Sequence, residues 1–384
     1  MATETADRVR LAAGHWKPRF VANGIDANDF DRVLAETAEW RDWAPNWKRV
    51  GDEHRALGEA ADRAGHTVTA TDAHQRAAWC YHVGKFLWFE DRELHAELSA
   101  LTVATYAKAM PRIDPPGRRI EAPFEGAVIP GILRTPRGAT KGAPLAILVP
   151  GLDSVKEELY AMENDFLRRP QGIERAPLAV LLPGLDSTKE EFFEWENVFL
   201  ARGLATFSLD GPGQGETGYK TYIHPNYEVA LTALLDQLQW KEPVGVVGVS
   251  LGGYYAPRAA AFEKRIVAAV GVSGAFCFGD VWDARPSLTK ETFQHHSGSS
   301  SPEEARAKAF DLTLEGVAEQ IAQPLLVIAG KLDRLVEWKE SKKIADEAPN
   351  STWVLFEEGN HVCNNIPYKY RPAMADWMRE RLAA

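Results

Sequence analysis

One serine of this chain stands in a context that can make it a nucleophile. Ser250 is the centre of Gly248-x-Ser250-x-Gly252, which follows the valine-rich run 244–249 and precedes a helical pattern over 254–264. A strand, a sharp turn with small neighbours and a helix are the context of a nucleophile elbow, which exposes the serine hydroxyl at the top of a sheet. We interpret Ser250 as a nucleophile; the alternative is a glycine-rich turn that happens to carry serine.

A serine hydroxyl is a weak nucleophile until a neighbouring base activates it. Asp333 follows the apolar run 324–330 and His361 follows the run 352–356, so both come just after predicted strands, where open α/β sheets place their chemistry. We expect Asp333 to orient the imidazole of His361, and His361 to take the proton of Ser250. A single Asp or His in a loop is usually a surface residue, but the order Ser, acid, His favours a triad.

Composition excludes several classes of partner. The chain has 384 residues, of which 45% are hydrophobic, and a net charge of −10 from 54 acidic and 44 basic side chains. That balance argues against nucleic-acid and anionic-membrane partners. No apolar run is long enough to span a bilayer, and the N-terminus lacks a signal-peptide pattern. Cys80, Cys277 and Cys363 are widely spaced, as expected of reduced thiols. We predict a cytoplasmic protein.

The periodicity of the chain changes near residue 114. Before it the pattern is helical, and we expect helices over 28–40, 47–64, 71–89 and 91–110, the third capped at Thr71–Asp72. A Pro-Pro-Gly segment then marks a break. After it short strands alternate with helices, which is typical of an α/β sheet. The sequence predicts a helical N-terminal domain over 1–113 and an α/β catalytic domain over 114–384.

A segment of the second domain is duplicated. Residues 143–169 recur as 176–202, and 18 of the 27 aligned pairs are identical. Each copy encodes a strand, a Pro-Gly-Leu-Asp-Ser turn and an amphipathic helix. Two copies are too few for a solenoid, so this is a local tandem duplication. Because the second copy runs directly into the next strand, we expect it to occupy the native position in the sheet and the first to be a peripheral insertion.

The duplicated turn matters for stabilising an oxyanion. In an elbow-type site one donor is the backbone N–H of the residue after the nucleophile, here Leu251, and the other comes from a loop after an earlier strand. We assign the second donor to Leu185, in the second copy, with Leu152 of the first copy as its rival.

Two other motifs do not indicate a cofactor or metal. The segment Asp210-Gly-Pro-Gly-Gln-Gly215 lacks the glycine spacing of a dinucleotide loop and is interpreted as a tight loop near the rim of the active site. His295 and His296 are adjacent and would point to different faces of a helix or strand, so a metal site there is not expected. We predict that the protein needs no cofactor and no metal.

Together these motifs resemble one group of the α/β-hydrolase family. That group contains 2,6-dihydroxypseudooxynicotine hydrolase, the fungal polyketide-shortening hydrolases and the FrsA-like esterases. The resemblance covers nearly the whole chain except the extra copy, and it rests on five segments: 15–20 (His-Trp-Lys-Pro-Arg-Phe), 183–190 (Pro-Gly-Leu-Asp-Ser-Thr-Lys-Glu), 210–215, 248–253 and 359–364 (Gly-Asn-His-Val-Cys-Asn).

The resemblance implies a mostly parallel α/β-hydrolase sheet preceded by a helical cap, frequent homodimerisation and no cofactor. Several members of the group hydrolyse a carbon–carbon bond beside a ketone, whereas others cleave esters. In the carbon–carbon hydrolases a further carboxylate assists, and Asp280 is the matching position here, although a glutamate is expected there.

The function predicted from these observations is hydrolysis, through an acyl-enzyme, of a carbon–carbon bond beside a ketone in a small carbonyl compound. The first alternative is a carboxylic-ester hydrolase, because the same triad would serve either bond. The second is a hydrolase-fold protein that binds a partner or ligand without turnover.

Overall fold

The computed structural model describes residues 9, 14, 16–22, 24–113, 116–134, 147–148, 178–182, 198–199, 202 and 204–382. Most of both repeat copies, including Leu152 and Leu185, therefore lies outside the described residues. The described chain has a helical N-terminal region followed by a mostly parallel sheet flanked by helices. The α/β class predicted from the sequence is confirmed.

The described helices of the N-terminal region are α1 (Lys17–Ala22), α2 (Ala27–Glu36), α3 (Trp43–Arg63), α4 (Thr67–Lys85) and α5 (Arg92–Ala109). Helix α5 begins after Asp91, whose carboxylate accepts the backbone N–H groups of Glu93 and Leu94, as an N-cap does. The cap predicted at Thr71 is wrong. Helix α4 already starts at Thr67, and the Thr71 hydroxyl donates to the Thr67 carbonyl within the helix.

Tryptophans build the core of this helical region. The ring of Trp43 lies edge-on to those of Phe30 and Trp47, with centroids 5.9 Å apart in both pairs, and its indole N–H donates to the Val83 carbonyl over 3.0 Å. All three rings are buried. Because the one polar group of the indole is satisfied, burial of this large ring stabilises the packing of α2, α3 and α4.

The strands are β1 (Gly117–Phe124), β2 (Ala127–Arg134), β3 (Ile147–Leu148), β4 (Leu178–Leu182), β5 (Ala205–Leu209), β6 (Val244–Val249), β7 (Ile266–Val272), β8 (Leu325–Gly330) and β9 (Ser351–Phe356). Strands β1, β2 and β5 pair antiparallel, in that order. The other six are parallel, in the order β3-β4-β6-β7-β8-β9. Every residue of β6 and β8 is buried, which is why they appear as continuous apolar runs in the sequence.

The described helices after β5 are α6 (Glu228–Leu238), α7 (Gly252–Phe262), α8 (Ser287–His296), α9 (Pro302–Phe310), α10 (Trp338–Glu347) and α11 (Pro367–Leu382). The helical region contacts this part of the chain through a group of rings. Tyr219 and His95 share a hydrogen bond of 2.8 Å between Oη and Nδ1, and Phe89 packs 4.7 Å from His95 and 4.6 Å from His295. The helical region therefore rests on the loop after β5 and on the end of α8.

Candidate active site

Ser250 occupies a sharp turn between β6 and α7. Its φ is +56°, a left-handed backbone that non-glycine residues adopt only where the surroundings impose it. A Cβ on Gly248 would lie 1.8 Å from the carbonyl oxygen of Gly252, and one on Gly253 would lie 2.6 Å from the backbone of Gly274. Glycines are required there because the chain folds back on itself at this point. The turn has the geometry expected of a nucleophile elbow.

The structure brings the three predicted triad residues together. His361 Nε2 lies 2.8 Å from Ser250 Oγ, and His361 Nδ1 lies 2.8 Å from Asp333 Oδ2. The three residues follow β6, β8 and β9, at the carboxyl edge of the sheet. Ser250 and His361 are 7% and 4% exposed, so the line of hydrogen bonds is shielded from water. A serine, an imidazole and a carboxylate in this order can carry out nucleophilic acyl transfer.

The Asp333 carboxylate is held by the protein on both of its oxygens. Oδ2 faces His361, and Oδ1 accepts the backbone N–H groups of Leu335 and Val336 at 2.8 and 2.9 Å. Burial alone would raise the pKa of Asp333, but the neighbouring His361 and these hydrogen bonds bring it below its ordinary value. The carboxylate is therefore ionised at neutral pH and fixes the orientation of the imidazole.

One of the two predicted oxyanion donors can be located. Leu251 directly follows Ser250 and is buried at the start of α7, where a helix presents free N–H groups. Leu185 and its rival Leu152 lie outside the described residues. The strand of the second copy, β4, pairs with the elbow strand β6, with Leu182 opposite Gly248, whereas the strand of the first copy, β3, lies beyond β4.

Asp280 is exposed, and no hydrogen bond among the described residues joins its carboxylate to Ser250 or His361. Sequence reasoning missed a second carboxylate, that of Glu340 on α10, which is close enough to Asp280 to be affected by its charge. Glu340 is half-buried and accepts the backbone N–H of Cys277 over 3.4 Å. Burial raises the pKa of Glu340, and the charge of Asp280 raises it further. No motif marks Glu340, because it acquires these neighbours only through the packing of α10 against the loop after β7.

The loop after β5, residues 210–217, is stabilised by hydrogen bonds between its own side chains and backbone. The Gly211 N–H donates to Gln214 Oε1 over 3.0 Å, and the Thr217 hydroxyl donates to the Asp210 carbonyl over 2.9 Å. Gly213 has a φ of +76°, and a Cβ there would meet the backbone of Ile223. These contacts fit the tight loop predicted from the sequence. They leave no open phosphate cradle of the kind that a dinucleotide loop provides.

Among the described residues, one group of side chains has donor atoms close enough together for a metal ion. Asp29, His54 and Cys80 offer ligand atoms within 4.8 Å of one another, a grouping that the sequence analysis did not anticipate. The Asp29 carboxylate, however, already accepts His54 Nε2 at 2.7 Å and Arg32 at 3.1 Å. Burial also raises the pKa of the Cys80 thiol well above its usual value, which disfavours the thiolate that a metal needs. The hydrogen-bonded Asp29 and His54, and the buried Cys80, are therefore best explained as part of the packing of the helical region.

The fold and the site define a class, and comparison with known proteins identifies it: the chain belongs to the α/β-hydrolase family. The alpha/beta hydrolase family pattern matches residues 179–368. The chain is 32% identical over 373 residues to 2,6-dihydropseudooxynicotine hydrolase of Paenarthrobacter nicotinovorans. This match covers 95% of this chain and 91% of that protein. The family membership predicted from the sequence is confirmed.

A solved structure and a fungal relative support the same assignment. The crystal structure of 2,6-dihydroxy-pseudo-oxynicotine hydrolase superimposes with a TM-score of 0.77, at 30% identity and with 95% of each chain covered. The hydrolyase poxO of Penicillium oxalicum is 32% identical over 260 residues, and the match spans 63% of this chain but about half, 53%, of poxO. No described helix is both long and apolar enough to cross a bilayer.

Proposed function

We propose that the protein is a serine hydrolase that cleaves a carbon–carbon bond beside a ketone, in an aryl ketone or 1,3-dicarbonyl compound, through an acyl-enzyme. The observation that carries this proposal is the bridging position of His361, with one ring nitrogen 2.8 Å from Ser250 Oγ and the other 2.8 Å from Asp333 Oδ2. Hydrogen bonds thus join a nucleophile, a base and an orienting carboxylate in one line.

In the first half of the reaction, Ser250 Oγ attacks the substrate carbonyl carbon while His361 Nε2 takes the hydroxyl proton. The negative charge on the carbonyl oxygen is stabilised by the backbone N–H groups of Leu251 and Leu185. Each such donor contributes on the order of 3 to 4 kcal/mol to transition-state stabilisation. When the intermediate collapses, the carbon–carbon bond breaks and its electron pair leaves with the carbon fragment. That fragment takes the proton from His361.

In the second half, His361 removes a proton from water, and the resulting hydroxide attacks the acyl ester on Ser250. Collapse of this intermediate returns the proton to Ser250 Oγ and releases a carboxylic acid. Asp333 stays ionised throughout and stabilises the imidazolium that forms in both halves. Burial opposes ionisation of Asp333, but the charge of His361 and the hydrogen bonds from His361, Val336 and Leu335 lower its pKa, which suits this role.

The choice of bond depends on the leaving group. A carbon fragment leaves with an electron pair only if resonance delocalises the charge, as in a phenolic ring or the enolate of a 1,3-dicarbonyl compound. An alkoxide needs less help, so the same residues would suit ester hydrolysis. The similarity over nearly the whole chain to the hydrolase from Paenarthrobacter nicotinovorans favours the carbon–carbon bond. We retain Asp280 as the proposed assisting carboxylate; because it is exposed, it can act only if bound substrate covers it.

We further propose that residues 1–113 form a cap domain over a catalytic domain of residues 114–384, and that the protein is a cytoplasmic homodimer. The contact of His95 with Tyr219, on the loop after β5, supports the cap arrangement. Light scattering on the purified protein tests the dimer, and a monomer at micromolar concentration would contradict it.

The test is a comparison of turnover of an aryl 1,3-diketone with that of an aryl ester, beside the variants Ser250→Ala and Asp280→Asn. We expect diketone hydrolysis that Ser250→Ala abolishes and Asp280→Asn slows. Turnover of the ester alone would establish an esterase instead. If no substrate of a wider panel is turned over in a manner that depends on Ser250, the protein binds rather than hydrolyses.

A further inference from the structure

Strand β7 lies between the strand that carries the nucleophile and the strand that precedes the acid. At its carboxyl end the backbone is bonded to both sides. The N–H of Ser250 donates to the Val272 carbonyl over 2.8 Å, and the N–H of Ser273 donates to the Ile328 carbonyl over 2.8 Å. Residues 272 and 273 therefore link the nucleophile turn to β8, whose end leads to Asp333.

The side chain of Ser273 makes the third connection. Its Oγ accepts the backbone N–H of Val362 over 3.0 Å, and Val362 directly follows His361. Ser273 is 1% exposed, so water cannot replace this hydrogen bond without opening the structure. Residues 272 and 273 together thus contact Ser250, the residue after His361 and the strand that leads to Asp333.

The segment that Ser273 holds is strained. Val362 and Cys363 have φ angles of +57° and +53°, a region that costs a non-glycine residue roughly 1 to 3 kcal/mol and is least suited to a β-branched one. Such a backbone persists only where its surroundings over-determine it. On the other side of the turn, Asn360 and Asn365 exchange hydrogen bonds from backbone N–H to side-chain Oδ1. The turn is therefore fixed at Val362 by Ser273 and at its base by this asparagine pair.

We propose that Ser273 is a positioning residue of the hydrolytic reaction. Its hydroxyl oxygen fixes the strained turn after His361, and so holds His361 Nε2 at hydrogen-bonding distance from Ser250 Oγ. The inference rests on the proposed function for its effect on rate, and on the hydrogen bond to Val362 for its effect on structure. Displacing a catalytic group by about 1 Å can cost roughly 100-fold in rate.

A matched control is available in the same part of the fold. Ser341 on α10 is also fully buried, and its hydroxyl donates to the carbonyl of Gly274, next to Ser273, over 2.7 Å. Ser341→Ala and Ser273→Ala each remove one buried serine hydrogen bond of similar strength. Only the second releases the turn after His361.

The experiment measures kcat and KM together with hydrogen exchange of a peptide containing Val362, for Ser273→Ala, Ser273→Gly and Ser341→Ala. We expect Ser273→Ala to lower kcat 10- to 100-fold with little change in KM, and to speed exchange at Val362. Residue 273 has a φ of +50°, which glycine adopts without strain, so Ser273→Gly should lose kcat to a similar extent because it also lacks the hydroxyl. Ser341→Ala should match the wild type in kcat and in exchange at Val362, even where its melting temperature falls as far as that of Ser273→Ala.

Equal kcat for the two alanine variants would overturn the proposal, as would unchanged exchange at Val362 in Ser273→Ala. Hydrogen exchange needs no substrate. If the proposed hydrolysis fails, so that the wild type and Ser250→Ala are equally inactive, exchange still decides whether Ser273 holds the turn.

Discussion

Gly248 and Gly252 approach each other so closely that a Cβ on Gly248 would lie 1.8 Å from the Gly252 carbonyl oxygen. Real Cβ atoms do not come so near to a backbone atom, and no flexible side chain is available to move aside. The contact places the end of β6 directly under the first turn of α7. It is this approach that sets Ser250 on the outside of the bend.

Gly248→Ala should therefore destabilise the fold and abolish any activity that depends on Ser250. The added methyl group must push α7 away from the sheet, and a strain of this size costs at least a few kcal/mol. Thermal unfolding and labelling of Ser250 with a fluorophosphonate probe measure the two effects. Gly14→Ala is the control, because no described atom lies within 4 Å of a Cβ at that position; wild-type labelling by Gly248→Ala would contradict the elbow geometry.

Asp333→Asn should leave the fold intact and lower kcat by roughly 10³- to 10⁴-fold, as loss of the orienting carboxylate does in other triads. The amide can keep one hydrogen bond to the His361 ring, but it supplies no negative charge to stabilise the imidazolium. Steady-state kinetics beside a melting curve separates the loss of rate from unfolding. Asp346→Asn, at an exposed position paired with Lys342, should retain full activity. A loss of less than tenfold for Asp333→Asn would show that Asp333 is not the acid of the triad.

Deletion of residues 143–175, which contain the first copy, should give a folded and active enzyme. The strand of the second copy pairs directly with the elbow strand, and that of the first copy lies one position farther out. Circular dichroism and turnover by the shortened chain check this expectation. An insoluble or inactive product would mean that the first copy supplies part of the native sheet or of the oxyanion site.

Stability should fall in acid partly because of Glu263, a buried residue after α7. Burial opposes ionisation, but hydrogen bonds from Arg265 and Thr232 lower the pKa of Glu263 to about 2. A folded pKa below the ordinary value of 4.5 means that the stabilisation is complete above pH 4.5 and is lost as the pH falls from there towards 2.

Glu263→Gln should accordingly lower the free energy of unfolding by about 2 kcal/mol at pH 7, the usual contribution of hydrogen bonds to a charged group. Below pH 4.5 the difference from the wild type should shrink, and urea unfolding at pH 7 and pH 3.5 measures it. Glu315→Gln, at an exposed position, should show no such pattern. If Glu263→Gln and the wild type differ in unfolding free energy by the same amount at both pH values, Glu263 does not contribute to the loss of stability in acid.

The sequence predicts the triad because each member follows a short apolar run typical of a strand. Parallel strands bring their carboxyl ends to one edge, so Ser250, Asp333 and His361 had to lie near one another once the three runs were identified. The motif around Ser250 also specified its glycines. These inferences depend on local patterns and on one topological rule, which is why they could be made without a structure.

Ser273 could not be found in this way. It stands in an apolar strand end with no motif, and its importance arises from a hydrogen bond to Val362, which is distant in sequence. Positive φ angles at valine and cysteine are equally invisible, because nothing in those residue types suggests them. The start of α4 was misjudged for a related reason. Thr71 has the residue type of a cap, but the helix begins one turn earlier, after His66, which makes no side-chain capping hydrogen bond that its residue type could have signalled.

The pairing of β3 with β4 has a consequence for how this sheet evolves. Ile147 lies opposite Val180 and Leu148 opposite Leu181, and each of these pairs joins a residue to its own duplicate. A parallel strand needs a crossover of a dozen residues or more before its neighbour can begin, and one repeat unit contains a strand together with such a crossover. Copying a whole unit therefore adds one parallel strand to the sheet. A parallel α/β sheet can therefore gain a strand by a single duplication. In an antiparallel sheet, duplication of one strand would reverse the direction of every strand that follows it.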